Sequence, residues 1–290
     1  MLLLVFAASY MWQHSVEKQE KTTEPFVKLY LHEKDQVTEL YLEDYLIGTV
    51  AAEMPASFDM EALKAQAVCA RTYAIRKIID HHPYPRQANL SDDINSCQAF
   101  CDVSSRQISP ENLKRIETAV KSTRGEVMLY DSYPIDALYH SCCGGKTDSS
   151  WGGSAPLPYL QAVKCKYCQH SSHYSEKHQI PNQRLAALVG GKNNKLEIKI
   201  LSTSPGGRAN QISINGQKIW ASDLRRQLNL PSQWMTFKVG SQQTEITTRG
   251  YGHGLGMCQY GADGLGKRGR DYKEILNYYY QDIQIYKLPY

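Results

Sequence analysis

Residues Leu42 to Ile79 read LEDYLIGTVAAEMPASFDMEALKAQAVCARTYAIRKII, and the reading of this stretch decides the fold. Leu42, Leu46 and Val50 recur at helical spacing. Pro55 ends that helix, because the residue before a proline is pushed out of the helical region, and Glu53 is left at a frayed end. A second helix starts after Asp59, a suitable N-cap, with Glu61 in the first turn where the helix dipole favours an anion. Its apolar stripe is Leu63, Ala67, Ala70, Ala74 and Ile78, rich in small residues that permit close packing. Arg71 falls beside the stripe, which predicts that its guanidinium and the Glu53 carboxylate face one cleft. The competing reading makes Glu53 a solvated helix end and Arg71 a surface cation lying over the stripe.

Working outward, Phe26 to Leu40 alternates as a strand hairpin leading into the first helix, and residues 81–107 are polar and irregular, a loop near the cleft. Ser109 and Pro110 are an N-cap and first position for a helix to about Ser122. Glu126 to Tyr130 and Ile135 to His140 read as a hairpin around Asp131 and Ser132, with His140 and Cys142 on one face of its second strand. Beyond Trp151 and Gly153 the chain is mixed. A short helix ends at Gly190, the strand LEIKILST follows, and SPGG and Asn215-Gly216 mark turns of a meander. A helix starts at Ser222 and stops before Pro231; another starts at Asp271, with Glu274 completing a capping box. The expected fold is α+β, a helical part carrying Glu53 packed on a strand-rich part carrying His140 and His253, with a cleft between them.

The chain has 290 residues, 42% of them hydrophobic, so it can bury a large core. A net charge of +4 with scattered Lys and Arg carries no footprint for nucleic acid. Residues 1–15 include LLLVFAASYMW, shorter than the roughly 20 residues that span a bilayer and lacking a basic leader and cleavage site. They read as a truncated membrane anchor, residues 16–25 as a polar linker, and 26–290 as the domain held outside the membrane.

The eight cysteines cluster: Cys97 with Cys101, Cys142 with Cys143, Cys165 with Cys168, while Cys69 and Cys258 stand apart. Close sets suggest a metal site more than a disulfide framework. Cys165 and Cys168 would supply half of a tetrahedral structural zinc site, Cys142 the third ligand, and Cys143, His140 or His170 the fourth. A reversible disulfide or free thiols is the alternative. Gly261 to Lys267 spells most of a phosphate loop, but Arg268 stands where Ser or Thr would bind magnesium.

Three strings carry a family resemblance. EMP is followed eighteen residues after its Glu, at position 71, by the Arg of KAQAVCARTYA; YHSCCGG occupies Tyr139 to Gly145; TRGYGHGLGMCQYGA occupies Thr248 to Ala262. In this order they resemble the signatures of the stage II sporulation protein D family, which also takes in amidase enhancers, over the chain from about Phe26 to Tyr290. The resemblance implies peptidoglycan cleavage by a lytic transglycosylase, in septal wall degradation during engulfment. Glu53 would be the acid and base, Arg71 would orient it or bind the sugar, and Tyr159 matches a tyrosine of the cleft. His140, His253 and Gln259 would line the glycan. Where the family pattern favours lysine this chain has Gln161, which puts a cationic role there in doubt. Glycan strands are the implied partner, with other wall hydrolases or septal membrane proteins beside them. One strong carboxylate suits a transglycosylase, which consumes no water and needs no second acid. The rivals are a non-catalytic enhancer of an amidase, and a cysteine enzyme using Cys142 or Cys258 with His140 or His253.

Overall fold

The computed structural model describes residues 23–81, 83–105, 107–150, 155–191 and 195–290. The expected anchor, most of the linker, and Trp151 and Gly153 lie outside them. No helix among the described residues is long and apolar enough to cross a membrane.

The chain opens with an antiparallel hairpin, β1 (Phe26–Leu31) and β2 (Gln36–Tyr41), and β3 (Leu90–Ser91) adds parallel to β1. Helix α1 (Leu42–Glu53) stops two residues before Pro55, and α2 (Met60–Ile79) starts at Asp59, whose side chain accepts from the Glu61 N–H. Helix α3 (Pro110–Ser122) is capped by Ser109. Helix α2 is buried along most of its length, from Ala62 through Ile75, which is why its sequence is so rich in alanine. It packs against α1, α3, β4 (Glu126–Tyr130), α6 (Gln259–Gly266) and α7 (Tyr272–Tyr279).

The predicted second strand of the β4 hairpin is broken. Only β5 (Tyr133–Pro134) pairs with β4, whose other edge takes β14 (Gln284–Lys287). The chain then leaves this sheet, and β6 (Tyr139–His140) pairs in parallel with β13 (Met257–Cys258), matching Tyr139 to Met257 and His140 to Cys258.

Between Cys168 and Arg249 the chain builds a smaller core of its own, with Ile180, Leu185, Ile212, Leu224 and Ile246 buried together. Strands β8 (Ile198–Thr203), β9 (Ala209–Ile214) and β10 (Gln217–Trp220) form one antiparallel sheet; β7 (Glu176–Pro181), β11 (Met235–Val239) and β12 (Gln243–Thr248) form another. Helices α4 (Asn182–Ala187) and α5 (Ala221–Leu228) complete it. The join to the main core is polar. Arg208, buried beside Asp148, donates through Nη2 to the Cys143 carbonyl at 3.0 Å, and Ser204 bonds the Asp148 carboxylate. The whole is an α+β protein, as expected.

Candidate active site

Glu53 closes α1, and three elements meet around it. Its Oε1 accepts the Ala99 backbone N–H at 2.6 Å, from the irregular segment that precedes α3. The Tyr139 hydroxyl from β6 donates to Gln98 Oε1 at 2.9 Å and lies close enough to the same carboxyl to favour its charged form. Gln98 in turn donates to the Tyr45 hydroxyl and to the Ala70 carbonyl, fixing this wall to α1 and α2. From the other side Gln259, the first residue of α6, donates to the Glu53 backbone carbonyl at 3.1 Å. Burial pushes the Glu53 carboxyl above its ordinary range, and the Ala99 N–H and Tyr139 hydroxyl pull it part of the way back. A half-buried carboxyl with a raised pKa, held by neutral donors, is suited to giving and then recovering a proton.

Arg71 does not join it. Its side chain is fully buried, and Nε and Nη2 grip Glu43 Oε1 and Oε2 at 2.9 and 2.7 Å. Nη1 and Nη2 also donate to the carbonyls of Glu126 and Val120, both at 3.2 Å. Glu43 further accepts the Tyr290 hydroxyl at 2.8 Å. The expectation of an arginine facing the cleft is therefore corrected. Because α2 is packed on nearly every side, a residue beside its apolar stripe is still inside the protein, and Arg71 ties α1, α2, α3 and β4 together.

The other predicted site residues divide. Tyr139 and His140 are adjacent in β6 and point to opposite faces: Tyr139 reaches Glu53, whereas His140 packs against His253 with ring centres 5.6 Å apart. His140 Nδ1 lies 3.0 Å from the Leu255 carbonyl and His253 Nδ1 accepts the Leu255 N–H at 3.0 Å, so the pair brackets one residue of the glycine-rich loop. Burial holds both histidines neutral, His140 well below its ordinary pKa and His253 down to about 4. Gln259 is buried and bonds Glu53 and Gln66, so it positions the acid instead of lining the glycan. Tyr159 is buried too, its hydroxyl accepting the Asp136 N–H at 3.0 Å, and Gln161 is exposed. The glycines of the loop also serve close internal contacts: a Cβ on Gly256 would lie 1.8 Å from the Leu138 carbonyl oxygen, and one on Gly254 2.2 Å from the Arg208 guanidinium.

Among the cysteines, the expected set of Cys142, Cys143, Cys165 and Cys168 is corrected at one position. The sulfurs that converge are those of Cys143, Cys165, Cys168 and Cys258, all buried. The Cys142 thiol lies beside this set and not within it, turned to the Cys168 carbonyl 3.9 Å away. His170 is engaged elsewhere, with Nε2 2.8 Å from Asp263.

Sequence reasoning missed Ala99, Gln98 and Tyr139 at Glu53, and Glu43 at Arg71. Neither a solvent-open depression of 560 Å³ lined by His173, His178, Arg225, Arg226 and Tyr251 nor a larger one of 650 Å³ lined by Leu40, Phe100 and Cys101 includes Glu53.

A family model described as stage II sporulation protein, SpoIID, matches residues 30–130, the span that holds Glu53, Arg71 and Ala99. The chain is similar to stage II sporulation protein D of Bacillus amyloliquefaciens, 33% identical over 290 residues, which cover 92% of this chain and 83% of that protein. It is likewise similar to stage II sporulation protein D of Bacillus subtilis (strain 168), 33% identical over 89% of this chain and 78% of that protein. The amidase enhancer of Bacillus subtilis (strain 168) is 28% identical over 81% of this chain but only 39% of that protein. With identity sustained along so much of both partners, the chain belongs to the stage II sporulation protein D family.

Proposed function

We propose that the protein is a lytic transglycosylase that cuts the glycan strands of peptidoglycan during sporulation, with Glu53 as its single acid and base. The observation that carries this reading is the placement of the Glu53 carboxyl at a half-buried helix end, where the Ala99 N–H fixes its Oε1 and burial favours its protonated form. Protonated Glu53 gives its proton to the glycosidic oxygen between N-acetylmuramic acid and N-acetylglucosamine, and that C1–O bond breaks. The carboxylate so formed takes the proton of the muramyl 6-hydroxyl, whose oxygen closes onto C1 as a 1,6-anhydro ring. Glu53 ends protonated as it began and no water is consumed. In this reading the N-terminal segment holds the domain at the outer face of the cytoplasmic membrane, and the protein works in the septal wall beside other hydrolases.

The second reading, a non-catalytic enhancer that binds glycan and stimulates a separate amidase, draws on the similarity to a protein named amidase enhancer. Mass spectrometry of soluble fragments separates the two, using wild type and Glu53→Gln on peptidoglycan both intact and stripped of stem peptides. Anhydro-muramyl ends from wild type alone are expected. Binding without cleavage by either protein would hand the site to the enhancer reading.

A further inference from the structure

Four buried sulfurs meet where three separate segments cross. Cys143 follows β6, Cys165 and Cys168 precede β7, and Cys258 ends β13. Their Sγ atoms all lie within 4.8 Å of one another, and those of Cys143 and Cys168 approach to 3.4 Å. A tetrahedral zinc with Zn–S bonds near 2.3 Å places its sulfurs about 3.8 Å apart, so the cluster already has the dimensions of such a cage. We propose that Cys143, Cys165, Cys168 and Cys258 hold a structural zinc ion in an all-thiolate site. Zinc displaces the thiol protons of these four residues to solvent and leaves no open position for substrate.

The surroundings fit thiolates held by a metal. Backbone N–H groups point at the sulfurs: Gly145 to Cys143 Sγ at 3.4 Å, and Cys143 and Gly261 to Cys258 Sγ at 3.2 and 3.3 Å. The Tyr279 hydroxyl lies 3.3 Å from Cys165 Sγ. Such donors orient metal-bound sulfur and spread its charge. The Arg208 guanidinium, bonded to the Cys143 carbonyl and shared with Asp148, lies beside the sulfurs. Gly261 admits the cluster, since a Cβ there would lie 2.7 Å from Cys165 Sγ. Two disulfides would require only pairwise approach, whereas here the four sulfurs share one centre.

The site bears on Glu53 through one residue. Gln259, which holds the Glu53 carbonyl, follows Cys258 directly, so the ion would fix the start of α6 against segments 90 to 115 residues upstream. The proposal does not rest on the transglycosylase reading, because its primary readout is metal.

The test is metal analysis of the purified chain after dialysis against metal-free buffer, with alkylation of free thiols under denaturing, non-reducing conditions. Stoichiometric zinc is expected, together with free thiols at all four positions once zinc is stripped. Cobalt(II) replacing zinc should give the intense visible bands of a tetrahedral tetrathiolate. Cys142→Ser and Cys97→Ser should keep the metal, and Cys165→Ser and Cys258→Ser should lose it. Should the latter two fail to fold, the metal content and cobalt spectrum of the wild type still decide. Disulfides among these cysteines in a zinc-free protein, or zinc that survives Cys258→Ser and vanishes with Cys142→Ser, would overturn the assignment.

Discussion

Replacing Arg71 by methionine separates a strut from a catalytic group. The guanidinium is completely buried and makes two charge-assisted bonds to Glu43, itself only 6% exposed, and two more to backbone carbonyls. Methionine fills much of the same volume but leaves the Glu43 carboxylate with only the Tyr290 hydroxyl and, at 3.3 Å, the Gly125 N–H. Stranding one charge of a buried pair costs about 3–5 kcal/mol, a large share of the roughly 5–15 kcal/mol that holds a domain together. Urea unfolding should show a loss of that size for Arg71→Met. In the double variant Arg71→Met with Glu43→Leu the two losses should fall well short of adding, because no lone charge remains. A lysine at 71 should cost an intermediate amount, since it keeps the charge and loses the bidentate fork. If Arg71→Met unfolded at the wild-type urea concentration yet no longer cut glycan, the strut would be refuted and Arg71 would return to the substrate.

Other consequences follow from Glu53 and from the glycine-rich loop. Tyr139→Phe removes a hydroxyl that lowers the Glu53 pKa, so the limb on which cleavage falls with rising pH should move to higher pH, read from a pH–rate profile. The elevated Glu53 pKa means that the fold favours its protonated form. That stabilisation is complete below the ordinary carboxylate range and is lost as pH rises through the folded value. Thermal melts should therefore show Glu53→Gln gaining stability over wild type from acid to neutral pH, and a constant difference would contradict the shift. Gly256→Ala must place a Cβ against the Leu138 carbonyl at a φ of 65°, so it should cost at least the 1–3 kcal/mol of such strain and lower the melting temperature; an unchanged melt would show that the close approach is absent in solution.

What the sequence disclosed was local. Pro55, Asp59, the Ser109-Pro110 pair and the Asp271–Glu274 box each act within a turn of themselves, and the helices start and stop where these residues put them. What it concealed depended on distant partners. Alternation from Ile135 to His140 looked like a single strand, but β6 answers to β13 far downstream, and Pro134 has no N–H with which to continue the first ladder. Periodicity placed Arg71 beside an apolar stripe correctly, yet it carried no information that α2 is enclosed on nearly all sides, or that Glu43 waits at the head of α1. Glu53 stood out through its motif, whereas Ala99 offers a backbone N–H from a segment with no pattern at all. The spacing of the cysteines marked a cluster, but only the crossing of β6 and β13 decides that Cys258 enters it and Cys142 does not.

The bonds that complete the site also determine when it can exist. Gln259 reaches Glu53 across 206 positions and Tyr290 reaches Glu43 across 247. A ribosome delivers the helix bearing the acid early and the residues that brace it last, so a growing chain carries Glu53 long before anything fixes its backbone. Closing loops of this length is slow compared with forming the local helices. Under the proposed function, competence would therefore come late in synthesis, because Glu53 lacks its Gln259 brace until α6 has been made.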